Sequence, residues 1–135
     1  MRQEGIPHLV DVIKRFPDVA IVLDHLLHAP INDGPPYAAA APMFSLAQYP
    51  SVYMKLTSAL IDRAKEGQST AEAYFGKLIG DFGSERIAWG SNYPAVEGEL
   101  PDLVANATST LSILSEDDQE NIFWRTAAKL YPALA

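Results

Sequence analysis

Three side chains able to do chemistry lie within or just after short apolar runs typical of buried β-strands. They are His25 after Val19–Leu23, Asn92 after Ile87–Gly90, and Lys55 within Val52–Thr57. An imidazole can bind a metal or exchange a proton near neutral pH, and an amide can donate and accept hydrogen bonds. Because the carboxyl ends of parallel strands form the rim where α/β folds hold their sites, these side chains are candidates for one site.

His25 is the strongest candidate, because it ends an apolar, β-branched run. Its imidazole could bind a metal or hydrogen-bond a substrate carbonyl or carboxylate. The alternative is a histidine bonded to a loop carbonyl. Strand alternation predicts that His25 shares a face with Ile21 and Leu23, and that Asp24 points to the opposite face. We expect Asp24 to orient the backbone or cap the next segment.

Asn92 lies in a polar corner, Ser91–Pro94, that follows the apolar run. Alternation places it on one face with Ala88 and Gly90, whose small size leaves room beside it. An amide cannot take a proton at neutral pH, so Asn92 could position a substrate carbonyl or carboxylate but could not act as a base. The alternative is a local turn, which asparagine readily supports. Tyr93 flanks it as a candidate substrate contact.

Two further residues are candidates for binding a substrate. Lys55 lies midway along its strand and could meet a substrate carboxylate, or pair with an acidic neighbour. His28 lies just inside the loop after the first strand and could reach a substrate, or could simply be solvated. Both alternatives stay open from the sequence.

The elements that must position these residues alternate between helix and strand. The patterns predict, in order, a helix over Pro7–Phe16, a strand over Val19–Leu23, a proline-rich loop over Ala29–Pro42, a short helix over Met43–Tyr49, a strand over Val52–Thr57, a loop over Ser58–Gln68, a helix opened by a capping box at Ser69–Glu72 and closed by Gly83, a strand over Arg86–Gly90, a helix over Asp102–Leu114, and a last helix opened by a capping box at Ser115–Asp118. Such alternation predicts an α/β fold with a parallel sheet and right-handed crossovers.

Composition limits the partners. The 135 residues carry a net charge of −7 with only 10 scattered basic residues, which argues against nucleic-acid binding. There is no cysteine, so thiolate chemistry and cysteine-based metal sites are excluded. No segment has the apolar length of a membrane span and the N-terminus does not read as a signal peptide, so we expect a cytoplasmic protein. The chain is too short for a complete (β/α)8 barrel, which needs roughly 200 residues or more.

Three segments in series carry a family resemblance: Phe16–His25 (FPDVAIVLDH), Tyr49–Leu56 (YPSVYMKL) and Phe82–Pro94 (FGSERIAWGSNYP). In this order and spacing the chain resembles the C-terminal half of the amidohydrolase-related family. These are TIM-barrel hydrolases that include lactonases acting on pyrone-dicarboxylate and sugar lactones, and related decarboxylases. Leu114–Asp118 and Thr126–Tyr131 resemble the family's closing helix, so the similarity covers nearly the whole chain.

The resemblance implies a partial TIM barrel in which residues 1–135 supply about strands 6–8 with their helices. His25 would be the sixth-strand histidine and a metal ligand, with a divalent ion such as Zn as cofactor. Asn92 falls where many members have an aspartate that serves as general base or metal ligand. The first-strand His-x-His pair and the mid-barrel ligand have no counterpart in this sequence.

The resemblance implies a hydrolase that attacks a lactone, amide or carboxylated small molecule with activated water. The expected catalytic residues are His25 and Asn92, and the expected substrate contacts are His28, Lys55 and Tyr93. We expect the chain alone to be inactive, because most of the family's site is absent from it. The alternative is a non-catalytic half-barrel or truncated homologue. Its exposed sheet edges would favour self-association or packing with another chain, so we expect a homo-oligomer.

Overall fold

A three-stranded parallel sheet is the centre of the protein, whose computed structural model describes residues 2–134. The strands are β1 (Ile21–Leu23), β2 (Val52–Thr57) and β3 (Ile87–Gly90), and β2 lies between the other two. The register pairs Val22 with Tyr53 and Thr57 with Gly90. The predicted α/β class with parallel strands is confirmed, while the sheet is open rather than closed into a barrel. Their numbering as strands 6–8 stays a prediction.

Helices precede the first strand, connect the strands and follow the last strand. They are α1 (Ile6–Arg15), α2 (Ala41–Phe44), α3 (Ser58–Arg63), α4 (Ala71–Phe82), α5 (Leu100–Leu111), α6 (Glu116–Glu120) and α7 (Thr126–Leu130), with a π-helical turn at Asn121–Arg125 between the last two. Short 3-10 turns include Ser45–Gln48 and Ser84–Arg86. Among the described residues no helix is long and apolar enough to cross a membrane.

The central strand separates two different faces of the sheet. Val52, Met54 and Leu56 are fully buried and belong to the core formed with the helices. Tyr53, Lys55 and Thr57 point the other way, as alternation requires, and Lys55 is only half-buried. The second face therefore carries the polar side chains.

The N-terminal caps of the two helices predicted to open with a capping box lie at or within one residue of their predicted positions. Ser115 accepts a hydrogen bond from the backbone N–H of Asp118, which confirms Ser115 as the N-cap of the last helix, and its hydroxyl donates to the Asp118 carboxylate in place of the reciprocal bond of a full capping box. At α4 the cap is Thr70, which accepts from Ala73 N, rather than the predicted Ser69. Ser69 is buried and instead pairs with the hydroxyl of Tyr37 at 3.0 Å. Gly83 follows α4 with φ 77°, a conformation that favours glycine.

Two predicted elements were wrong or misplaced. The predicted loop over Ser58–Gln68 begins with helix α3, because Leu60, Ile61 and Ala64 recur at helical spacing and are buried. The predicted short helix over Met43–Tyr49 begins earlier, at Ala41, and its second part is a 3-10 turn.

The first strand is shorter than the apolar run that predicted it. Val19 is 54% exposed and precedes β1, which begins at Ile21. β1 is an outer strand of the sheet, so its run lacks a neighbour on one side. Ile21 and Val22 are only partly buried and Leu23 is buried, so the run does not form a strand buried on both faces.

Candidate active site at the carboxyl ends of the strands

The chain leaves β1 through a left-handed turn that contains no glycine. His25, Leu26, Leu27 and His28 have φ values of 54°, 44°, 56° and 52°. Each non-glycine residue in this left-handed conformation raises the free energy of the fold by roughly 1–2 kcal/mol, so contacts with the rest of the protein must stabilise the turn. Leu26 and Leu27 are buried in the core at 0% and 1% exposure, and their burial supplies that support.

This turn places His25 differently from the alternation that the sequence predicts. Nδ1 of His25 lies 3.3 Å from Oγ1 of Thr57, the last residue of β2. Thr57 points to the polar face of the sheet, whereas alternation put His25 on the face of Ile21 and Leu23. That placement was wrong because the extended conformation ends before His25, at Leu23.

His28 lies against His25. The two imidazole rings are stacked, with centroids 4.9 Å apart and planes 26° from parallel. Burial lowers the pKa of His28 from its ordinary value near 6.5, and the nearby positive charges of His25, Arg2 and Arg63 lower it further. The neutral form of His28 is therefore favoured in the folded protein, although the residue is exposed to solvent.

Lys55 pairs with Asp24 across the polar face. Its Nζ lies 3.2 Å from Oδ1 of Asp24, so the pairing with an acidic neighbour is present, while the substrate role of Lys55 stays a prediction. Asp24 thus bonds a side chain on the adjacent strand instead of capping the next segment. The stem of Lys55 runs past β3, since a Cβ placed at Gly90 would lie 3.4 Å from its Cε. Gly90 therefore leaves space for the lysine stem.

An open cavity of about 400 Å³ lies beside this ion pair. Its lining includes Asp24, Lys55, Ala88 and Tyr131. This volume falls within the range of small-molecule sites. His25 itself does not line this cavity, whereas Asp24, the residue before it, does.

Asn92 and Tyr93 form a surface turn. Asn92 has φ 61°, and its carbonyl accepts a hydrogen bond from Ala95 N at 2.9 Å. Tyr93 is 48% exposed, and its backbone N–H donates to Oγ of Ser91 at 3.2 Å. These contacts match the local-turn alternative. Within residues 2–134 neither side chain hydrogen-bonds His25, so the catalytic role of Asn92 and the substrate role of Tyr93 stay predictions.

The residues do not fit a metal ion on their own. In the part of the chain that the structure describes, no group of three or more His, Cys, Asp or Glu side chains is placed to hold one. His25 and His28 stack on each other, and the Asp24 carboxylate is paired with Lys55. The role of His25 as a metal ligand stays a prediction.

Thr57 is the residue of this region that the sequence reasoning missed. It ends the central strand, is 1% exposed and bonds the imidazole of His25. The available signal was its position, since a hydroxyl at the end of a central strand is next to the ends of both neighbours. The strand register that shows this was not available from the sequence.

Comparisons with known proteins agree with the fold and identify relatives. A sequence model described as amidohydrolase matches residues 1–133. An L-fucono-1,5-lactonase from Burkholderia ambifaria is 31% identical over 90 residues, which is 66% of this chain and 31% of the relative. The chain therefore spans about a third of the length of that relative.

Two solved proteins share the fold at low identity. One is an amidohydrolase from Burkholderia multivorans, solved with bound HEPES (TM-score 0.74, 19% identity, 98% of this chain and 51% of that one) and with bound zinc (TM-score 0.73). The other is a proposed 2-pyrone-4,6-dicarboxylic acid hydrolase from Pseudomonas putida (TM-score 0.74, 21% identity, 97% of this chain and 49% of that one). The chain spans about half the length of each.

Proposed function

We propose that this chain, which belongs to the amidohydrolase family, supplies part of a site that hydrolyses a lactone or a related small carbonyl compound carrying a carboxylate. The observation that carries the proposal is His25, held by Thr57 at the carboxyl end of β1 in a chain of this family. The names of two relatives, an L-fucono-1,5-lactonase and a proposed pyrone-dicarboxylate hydrolase, support the lactone class.

The proposed roles follow from the chemistry of each side chain. His25 has Nδ1 engaged by Thr57, so Nε2 is the nitrogen available to a substrate oxygen or to the attacking water. Attack of water on the lactone carbonyl breaks the ring ester bond and gives a hydroxy acid. Asn92 positions a substrate oxygen but cannot accept a proton, so a base must come from another residue.

Lys55 is proposed to bind the substrate carboxylate. It lies in the cavity beside Asp24, which balances its charge when no substrate is bound. His28 and Tyr93 are proposed as further substrate contacts. A zinc ion at His25 would need additional ligands from outside the described residues, because these do not form a metal site themselves.

Replacing His25 with glutamine tests the proposal. In the complete site of which this chain supplies a part, we expect hydrolysis of L-fucono-1,5-lactone or 2-pyrone-4,6-dicarboxylate, followed by acid release with and without added zinc, to fall by about 100-fold or more, as for loss of a general acid–base residue. His8→Gln is the matched control, since His8 is exposed on α1, and should keep the wild-type rate. Equal rates for wild type and His25→Gln would refute the proposed role of His25.

The second candidate function is a non-catalytic half-barrel that associates with another chain. The observation that favours it is the open sheet, in which each outer strand has one side without a strand partner among residues 2–134. Absence of hydrolysis of either lactone even from the complete site that includes this chain, together with self-association, would support this alternative.

A further inference from the structure

We infer that Thr57 is a positioning residue for His25, whose hydroxyl sets the orientation of the imidazole and the nitrogen that carries its proton. The catalytic meaning of this inference rests on the proposed function. Its structural part does not, because the hydrogen bond and the tautomer can be measured without any turnover.

The hydroxyl of Thr57 does not form the helix-capping hydrogen bond that is usual at its position. Thr57 is the N-cap residue of α3, with φ −119° and ψ 162°. A threonine there usually accepts a backbone N–H from the first helical turn. No such side-chain cap bond is formed at α3, and Oγ1 instead lies 3.3 Å from Nδ1 of His25.

The hydrogen bond between Thr57 and His25 matters because Thr57 is buried. Thr57 is 1% exposed, so its hydroxyl has little access to water as a replacement partner. A buried hydroxyl that loses its partner pays its desolvation cost in full. The pair also joins the ends of two adjacent strands, since β1 and β2 are neighbours in the sheet.

His25 is restrained from two other directions. Its backbone lies in the left-handed turn, which the buried Leu26 and Leu27 hold in place. The ring of His28 stacks on its ring with centroids 4.9 Å apart. With one face against His28 and Nδ1 on Thr57, the ring has one nitrogen, Nε2, left for chemistry.

The hydrogen bond decides which nitrogen carries the proton. A hydroxyl can donate to a bare Nδ1 or accept from a protonated one. Among the described residues Oγ1 of Thr57 has no other hydrogen-bond partner, so accepting from Nδ1–H would leave its own buried O–H without an acceptor. Donation from Thr57 to Nδ1 is therefore favoured, and it places the proton of the neutral ring on Nε2. Thr57 would then act on the reaction through His25 without touching the substrate. Its loss should allow both tautomers and a wider range of ring orientations.

Nitrogen-15 NMR of the imidazole tests this directly in the 135-residue chain. At about pH 8.5, where an ordinary histidine is neutral, we expect His25 in the wild type to show well-separated Nδ1 and Nε2 shifts, as one dominant tautomer requires. In Thr57→Val, which keeps the β-branched shape but removes the hydroxyl, the two shifts should move towards each other. Thr57→Ser, which keeps a hydroxyl, should retain the separation. The His25 signals are assigned by their loss in His25→Gln.

Ser58→Ala is the matched control. Ser58 is also 1% exposed, and its Oγ has no partner among the described residues, so the variant removes a buried hydroxyl one position along the chain without touching His25. It should leave the His25 shifts unchanged. Unchanged shifts in a folded Thr57→Val would overturn the inference. If Thr57→Val fails to fold, Thr57→Ser decides the question. Loss of the separation between the Nδ1 and Nε2 shifts of His25 in folded Thr57→Ser would then overturn the inference.

Kinetics provide the second readout. We expect Thr57→Val to lower kcat by about tenfold, the size of effect that one lost hydrogen bond produces, with KM nearly unchanged and Thr57→Ser close to wild type. If the complete site that includes this chain hydrolyses neither lactone, the proposed function fails while the NMR result still decides the role of Thr57. If hydrolysis is present and the Thr57→Val spectrum equals the wild type, the inference fails alone.

Discussion

His28 is a titrating group for which the structure gives the direction of the pKa shift, and so the direction in which stability changes with pH. Burial and the charges of His25, Arg2 and Arg63 lower its pKa in the folded protein below the ordinary value near 6.5. The unfolded chain therefore binds a proton at a higher pH than the folded chain does. The stability that His28 contributes is present above about pH 6.5 and is lost as the pH falls towards the lowered folded pKa.

The pH dependence of urea unfolding checks this sign. Between about pH 7.5 and 5.5 we expect the unfolding midpoint of the wild type to fall by more than that of His28→Asn, because the variant lacks the group. The difference should be small, since His28 is exposed and solvent screens its neighbours. His8→Asn should follow the wild type. A drop of the same size in His28→Asn as in the wild type would contradict the assignment.

The residue-scale predictions from sequence depended on knowing the backbone conformation. Lys55 was placed on its face correctly, because alternation holds through β2. His25 was not, because its left-handed turn contains two histidines and two leucines and no glycine that would have indicated it. Long-range burial of Leu26 and Leu27 stabilises that turn, and such burial is not visible in local sequence.

At the scale of elements, Arg86 connects segments that sequence patterns treat as separate. Its guanidinium donates to the carbonyl oxygens of Phe82 (2.6 Å), Tyr49 (2.9 Å) and Ala47 (3.1 Å). These carbonyls lie in α4 and in the segment that leads into β2. One side chain thus fixes the entry to β2 relative to the end of α4.

Replacing Arg86 with methionine should destabilise the fold. We expect the free energy of unfolding to fall by about 2–4 kcal/mol, since several charge-assisted hydrogen bonds are lost and carbonyl oxygens are left with fewer partners. Arg125→Met is the matched control. Arg125 is 42% exposed and pairs with Asp117 and Glu120 at the surface, so its loss should cost less than about 1 kcal/mol. Urea titration followed by circular dichroism measures both, and equal losses would contradict the bridging role.

Elements were predictable where the pattern was long or closed by clear chemistry. β2 has its predicted bounds, and Gly83 ends α4 as expected. Helix α3 was missed because Ser58–Arg63 is only six residues, which is too short for its few apolar positions to establish a helical period before tertiary packing buries Leu60 and Ile61.

At the scale of the whole molecule, the sheet has two open edges among the described residues. Its order β1-β2-β3 leaves one side of β1 and one side of β3 without a strand partner in residues 2–134. The solved relatives that share its fold are about twice as long. The sequence resemblance predicted the partial barrel, but a resemblance cannot show what covers the open edges. Unpaired strand edges favour pairing with another chain.

We therefore expect the purified chain to self-associate through the edge at β1. Light scattering over a concentration series in the micromolar range should give a mass that rises above that of the monomer. A charge beside an edge strand disfavours edge pairing, so Val19→Lys, at a position 54% exposed just before β1, should lower the association. Val104→Lys, which places the same charge at a 41% exposed position on α5, should not. A wild type that remains monomeric throughout would contradict self-association, and equal masses for the two variants would move the contact away from β1.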